Sequence, residues 1–519
     1  MTGFGCKAGS GIRIVLTILM LTTLFEAACG LPSHAASPIT TENARPGQSD
    51  WVLTDPADHE VEGYASATSI QRGEPLRLYI HSIDPRVTVD IYRMGWYGGA
   101  GARLVRGGIT LPGIRQPMPT PDPVTGLIEC NWQVSYTLST TNAPHEWLSG
   151  VYLAKLTGST SGKQSYIIFV VREDDRPSDF LFQSSVTTFQ AYNNWGGKST
   201  YPSNSRDEQW ARKVSFNRPY ARSQHPQGGS GTGAGEFLTA MSIHPTRALS
   251  TAGWEYNMVR WLERNGYDVT YSTDIDTHTQ AEFWQGHRAW LSVGHDEYWS
   301  AEMRRHVEAA RDHGVGLGFF SANTCYWQIR LEPSPLTGKP NRTMVSYKEV
   351  ALQEDPFALD GDLSNDHLVT VQWRESPVQR PEHALLGVMY GAVPIDGDIL
   401  VTQPEHLLFD GVELPPDHRL PGLLGYEIDQ RFPHGPAGVT ILAHSPYPRD
   451  GQVIYGDMTL YQAPSGAAVF AAGTIQWSWG LDDYNAPTLR TARSSRAAQG
   501  ITGNVLRLLT SQPPSLPLP

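Results

Sequence analysis

Basic residues are in short supply. The 519 residues include 40 Lys and Arg against 52 Asp and Glu, a formal net charge of -12, and no segment gathers the cations into a patch. Gripping a nucleic-acid backbone requires a concentrated Lys/Arg surface that neutralises phosphates, so DNA and RNA are excluded as partners. Cysteine is scarcer still, at four: Cys6, Cys29, Cys130 and Cys325. A membrane-spanning run is missing too, because the apolar stretch Ile14 to Phe25 falls short of the roughly 20 residues a bilayer needs. Also missing are a phosphate-binding Gly-rich loop, a Gly-x-Gly-x-x-Gly fingerprint between a strand and a helix, and a His-Glu-x-x-His zinc helix. No Gly-x-Ser-x-Gly or Gly-x-Cys-x-Gly nucleophile elbow surrounds Cys325.

What is there begins with an export signal over residues 1 to 37. Lys7 and Arg13 lead into the apolar run, and the small residues Ala27, Ala28, Cys29, Ala35 and Ala36 follow. Two processing outcomes fit. Cleavage before Cys29 leaves a lipid anchor on that cysteine, although Glu26 is a poor residue three places ahead of it; cleavage after Ala35 or Ala36 leaves a soluble secreted protein. The expected location is therefore secreted or anchored in the cell envelope. With Cys6 and Cys29 lost or modified, Cys130 and Cys325 remain, and two readings stand: a disulfide formed in an oxidising compartment, or two buried small hydrophobes.

The chain is too long for one ordinary core. Residues 38 to 50, polar and flanked by prolines, read as a linker. From 51 to 175, short alternating runs (Leu76 to His81, Val87 to Tyr92, Val151 to Leu156, Tyr166 to Val171) are separated by Gly, Pro and Ser, with no helical stretch between them. That spacing predicts an antiparallel β-sandwich of immunoglobulin type. Within it, Met94 to Gly99 reads either as a ligand-binding loop suited to stacking on a sugar or as a turn whose aromatics cover the sandwich. From 176 to 510 strands and helices alternate: a strand over Phe180 to Gln190, a helix over Thr251 to Asn265, strands at Val269 to Ser272 and Ala289 to Val293, a helix from Ser300 to Gly314, and a strand at Val315 to Phe320. This order predicts a doubly wound, flavodoxin- or amidotransferase-like parallel sheet. Extra β runs follow at Leu368 to Trp373, Val439 to His444, Met458 to Tyr461 and Ala467 to Ala472, then a helix near Ala497 to Leu509 and a Pro-rich tail, residues 511 to 519.

Three predicted strand ends are dense in polar and aromatic side chains: Gln190 to Lys198, continuing to Tyr201; Gly294-His295-Asp296-Glu297-Tyr298; and Asn323 with Tyr326 and Trp327. In an open α/β sheet such carboxyl ends meet in one ligand-binding crevice. His295 and Glu297, two apart in extended chain, point the same way, which suits metal ligation or acid-base work. The plainer reading is that Asp296 and Glu297 favour the start of the next helix while His295 makes a structural hydrogen bond. Cys325 reads as a thiol nucleophile or, more plainly, a buried thiol. The Gly-rich stretch Gly228 to Gly235 reads as a mobile loop near the site, a candidate lid.

With these residues in view, the chain resembles the large (beta) subunit of N,N-dimethylformamidase, particularly its C-terminal α/β domain, over roughly Asp175 to Leu509. The resemblance rests on Gln190-Ala191-Tyr192-Asn193, Asn217-Arg218-Pro219-Tyr220, Gly294 to Tyr298, Ser321-Ala322-Asn323 and Gly425-Tyr426-Glu427. It implies a hydrolase of amide or related C-N bonds with a mononuclear ferric ion (Fe3+) held by two tyrosines and a glutamate, here Tyr192, Tyr220 and Glu297. It also implies His295 and Asn323 beside the metal, Glu427 as a carboxylate base, a small-molecule amide as substrate, and a small partner subunit that this chain does not encode. Hard anionic oxygen donors suit such an ion. The chain departs from the family pattern at Asp296, where an uncharged residue is usual, and in its export signal. Self-association as a homo-oligomer is open. Two other readings remain: a non-catalytic surface protein that binds a ligand or polysaccharide, and a thiol enzyme using Cys325.

Overall fold

The computed structural model describes Met1 and residues 37–141, 144–241 and 251–511. The export signal, with Cys6 and Cys29, and the tail beyond residue 511 lie outside the described residues. Among the described residues no helix is long and apolar enough to cross a membrane.

The first module is a two-layered sandwich. One sheet orders Val61–Ala65, Pro75–Ser82 and Tyr136–Ser139; the other orders Ser69–Gln71, Gln164–Arg172, Gly150–Gly158, Arg86–Met94 and Ala102–Pro112. Alternation along the strands sends one side chain in two inward: Leu76, Leu78 and Ile80 from the first sheet and Val87, Val89, Ile91 and Phe169 from the second fill one core. All four predicted strands lie inside observed ones. The pairing of Ser69–Gln71 with Gln164–Arg172 is parallel, not antiparallel. In Met94 to Gly99, Tyr97 is buried, with its hydroxyl on Glu42 and Arg93, while Trp96 lies under Arg260 and Arg264 of the second module; the segment is a covering turn.

Residues 38 to 50 are not a linker. Pro38–Asn43 forms a helix capped by Ser37, with Ile39 and Glu42 buried. Glu42 pairs with Arg103 of the sandwich, and the Asn43 amide donates to Glu263 of the second module at 2.8 Å. The sequence looked like a linker because these contacts are polar and distant along the chain.

In the second module β1 (Ser178–Ser184), α1 (Val186–Tyr192), α2 (Glu255–Arg264), β2 (Val269–Thr273), β3 (His287–His295), α3 (Ala301–Asp312), β4 (Gly316–Ala322), β5 (Met389–Leu400), β6 (Arg419–Gln430), β7 (Thr440–Arg449), β8 (Gln452–Gln462), β9 (Ala468–Ala471) and α4 (Arg496–Leu509) carry the architecture. Seven strands form one sheet in the order β2-β1-β3-β4-β9-β8-β7. The first five are parallel, β8 runs antiparallel to β9, and β7 runs antiparallel to β8. Side chains alternate strictly between faces: Trp290, Leu317, Phe319 and Val469 pack with Met303 and Val307 of α3, while Leu291, Val293, Phe320 and Phe470 pack in the core shared by α2 and α4. Helices on both faces make the sheet doubly wound, as predicted, and the order reverses at the β1/β3 junction, the ligand-binding point of this topology.

Three local expectations fail for a common reason, which is that burial on all sides hides the period. The apolar run from Phe180 divides into β1 and the fully buried helix α1, so Tyr192 ends a helix and not a strand. The helix predicted from Thr251 begins only at Glu255. Leu368 to Trp373 is a short 3-10 turn and extended loop with one isolated bridge, Trp327 to Gln372. The long hairpin β5–β6, whose ladder is broken by register shifts, is a separate sheet with no clear alternation in the sequence.

Candidate active site

Four segments deliver the site to the carboxyl ends of β1, β3 and β4. Helix α1 starts immediately after β1 because buried carboxylates satisfy its first N–H groups: Glu255 accepts from Ser185 N at 2.8 Å and Asp274 from Thr187 N at 2.9 Å. Its seven residues carry Tyr192 to the crevice. β3 bends at Gly294, whose φ of 73° turns the chain, and ends in His295. The turn after it is locked, since Glu297 N donates to Thr188 of α1 and the Glu297 carbonyl accepts from Tyr326 and Trp327 beyond β4. From the far side β6 contributes Glu427 and Asp429, two apart and so on one face, with Tyr426 and Ile428 in the core.

Glu297 is the centre. Its Oε2 accepts from the Tyr192 hydroxyl at 2.9 Å, and both its oxygens lie within 3.2 Å of the Tyr201 hydroxyl. Tyr201 also bonds Tyr192 at 2.8 Å and receives a bond from Tyr298 at 2.5 Å. The His295 ring lies 5.1 Å from that of Tyr192, with Nε2 at 3.2 Å from Glu297 and 3.5 Å from Glu427, and Nδ1 at 3.6 Å from Glu236. Those are ion-pair separations without hydrogen-bond geometry. Both ring nitrogens, Glu236 Oε2, Glu427 Oε2 and Asn323 Oδ1 are buried with no hydrogen-bond partner. Five orphaned polar atoms in one crevice are costly unless something else occupies it.

Electrostatics agree. Burial would lower the His295 pKa, but the Glu427, Glu236 and Glu297 carboxylates outweigh it and raise it well above the usual imidazole range. Burial would raise Glu297, yet His295, Lys348 and the Tyr192 hydrogen bond hold it below the usual carboxylate range. Tyr192 and Tyr201 are pushed well up, first by burial and then by Glu297, so neither phenol ionises without an added cation. Lys348 is buried with its ammonium 3.2 Å from the centre of the Tyr201 ring, and burial lowers its pKa to about 7.

Of the predicted residues, Tyr192, Glu297, His295 and Glu427 converge. Asn323 is beside them, buried after β4 at φ 52°, its backbone N held by Asp429 at 2.7 Å. Tyr220 does not join them: its ring meets Phe189 edge-on and lines a cavity with Tyr64, Phe216, Arg218 and Arg342 near the sandwich. Tyr201 stands where the second phenol was expected. Asp296 turns to the opposite side, accepting from Ser292, Gln183 and Trp299, so its charge does not face the tyrosines. Cys325 and Cys130 are both free and buried, which removes the disulfide, and burial pushes the Cys325 thiol far up, away from a nucleophile's range. The Gly-rich stretch is no mobile lid: Gly228, Gly229 and Gly231 to Met241 are buried. It delivers Glu236 to His295. Sequence reading missed Glu236, Lys348 and the ligand-like position of Tyr201. Tyr201 alone had a signal, lying at the end of the polar stretch that begins at Gln190.

The donor set is specific. Among the described residues no group of three or more His, Cys, Asp or Glu could hold a metal ion. Tyr192, Tyr201 and Glu297 bring together three hard oxygens, a donor set that suits a hard cation.

Fold and site together define a class: a β-sandwich joined to a doubly wound α/β sheet, with a phenol, carboxylate and imidazole cluster at the sheet's switch point. The family model for N,N-dimethylformamidase beta subunit-like proteins, C-terminal region, matches residues 88–489. The chain belongs to that family, and the match reaches into the sandwich, further than the motifs alone reach. No curated protein matches the chain.

Proposed function

We propose that the protein is an exported, iron-dependent hydrolase of amide or related C-N bonds, acting on a small-molecule amide. The observation that carries this is the convergence of the Tyr192 and Tyr201 hydroxyls on Glu297, within 3.2 Å, beside an imidazole and a second carboxylate. Tyr192, Tyr201 and Glu297 would hold a ferric ion, which when bound polarises a carbonyl and acidifies water. Glu427 takes the proton of the attacking water. His295, held charged among three carboxylates, donates to the oxygen on which negative charge grows, and Asn323 adds a second polar contact there. Lys348, against the Tyr201 ring, helps that phenol carry negative charge. Burial around Glu297 keeps bulk water from competing.

Visible absorption and metal analysis of the purified protein test this, because ferric phenolates are coloured. Tyr192→Phe, Tyr201→Phe and Glu297→Ala each abolish the band and lower iron content at least about tenfold, roughly 1.4 kcal/mol or more of binding, while Tyr220→Phe and Cys325→Ala keep both. A colourless, iron-free protein that ferric iron neither colours nor activates would leave the ligand-binding surface protein as the better reading.

A further inference from the structure

The cavity that Tyr220 lines is small, about 30 Å³. Two arginines line it, Arg218 and Arg342, with relative exposures of 1 % and 6 %. Among the described residues neither is paired with a carboxylate. Arg218 gives its donors to Gln190 and to the carbonyls of Trp195, Lys198 and Asn193. Arg342 uses Nε on Asn217 and Nη2 on the carbonyls of Ala65 and Phe216, leaving Nη1 with no acceptor among the described residues. Glu129, a nearby carboxylate that acts on Arg342, is engaged instead by Asn217 and Ser334. The Tyr220 hydroxyl likewise has no hydrogen-bond partner among the described residues; after burial, Asp274 acts on it most strongly, then the two guanidiniums, then Glu255. Burial pulls both arginines down to about 10, with Glu129 opposing it only weakly at Arg342.

A guanidinium out of water normally has its charge matched. Here two lack a direct ion pair among the described residues, Arg342 reaching Glu129 only through Asn217, and both line the same void. A void of this size admits one or two waters or one small anion. We propose that the cavity between the sandwich and the α/β module, lined by Arg218, Arg342 and Tyr220, is a binding site for a single halide ion, chloride in practice. The ion ties the modules, since Arg342 holds carbonyls from the sandwich (Ala65) and from the α/β module (Phe216). This is independent of the chemistry proposed at Glu297.

Bromide decides it. Crystals of the full-length protein soaked in sodium bromide give an anomalous difference peak in this cavity, and the melting temperature rises with the logarithm of halide concentration at constant ionic strength when chloride or bromide replaces the bulkier isethionate. In Arg342→Gln both effects are lost. A cavity without the bromide peak holds water only and overturns the proposal, as does a halide dependence of Arg342→Gln equal to that of the native protein. Should Arg342→Gln not fold, the bromide map of the native protein decides alone, a peak upholding the site and its absence overturning it.

Discussion

Glu255 shows how much of this site depends on single buried carboxyl groups. It never touches the crevice, yet its carboxylate accepts from Ser184 Oγ and Ser185 N and so fixes where α1 begins. Burial pushes its pKa up to about 8, against about 4.3 in an unfolded chain. Between those values the folded protein binds a proton that the unfolded chain lacks, so stability from this group falls as pH rises from about 5 to about 8, then levels off. Glu255→Gln cannot titrate. Urea unfolding across that window should therefore show the native protein losing stability relative to the variant as pH rises; parallel pH curves would mean Glu255 is ionised in the fold. Asp296 is the complementary case. On sequence grounds it was an awkward extra charge beside the proposed iron, and the fold disposes of it by rotating it onto three donors under the sheet.

Among the elements, β3 matters most, because its last turn aims His295 and Glu297 together. Gly294 makes that turn at φ 73°, and a Cβ there would approach Trp254 Cβ to 2.7 Å. Gly294→Ala should combine left-handed strain of about 1–2 kcal/mol with overpacking of similar size. Chemical denaturation should register a loss of about 2 kcal/mol or more, together with loss of the visible band as the imidazole and carboxylate shift. A variant with native stability and colour would show that the turn does not set the site. The β5–β6 hairpin makes the opposite point: it places Glu427 against His295 from a separate sheet, so the strength of its attachment, through the Asp429 N–H donated to the Gly473 carbonyl and the Gly425 N–H donated to Thr474, is invisible in local sequence.

The whole molecule is joined by a buried bidentate ion pair. Arg93 of the sandwich donates to Glu263 of α2 at 2.8 and 2.9 Å, both side chains fully buried, with Tyr271 and Asn43 completing the carboxylate's partners. Removing one partner strands the other charge, so Arg93→Met should cost about 3–5 kcal/mol. Adding Glu263→Leu should recover part of that, but not all, because Tyr271 and Asn43 lose their acceptor. A double variant as unstable as the sum of the singles would show that the pair is not coupled. The family match crossing from the sandwich into the α/β module accords with two modules built as one body.

The sequence by itself determined the periodic features: a sandwich from alternating runs, a parallel sheet wound on both faces, the helix start at Ser300, and the crevice at the ends of β1, β3 and β4. It also singled out His295 and Glu297 as a pair two apart at a strand end, while Tyr192 came in as a ligand only through the family resemblance. Tertiary structure alone decided which second tyrosine meets Glu297. Tyr220 and Tyr201 both follow Tyr192 in irregular chain, and only the path of that loop chooses between them. The same holds for Glu236, Lys348 and the helix at residues 38–43, whose partners lie far away along the chain. Periodicity records which face of an element is buried; it carries no information about which distant side chain that face will meet.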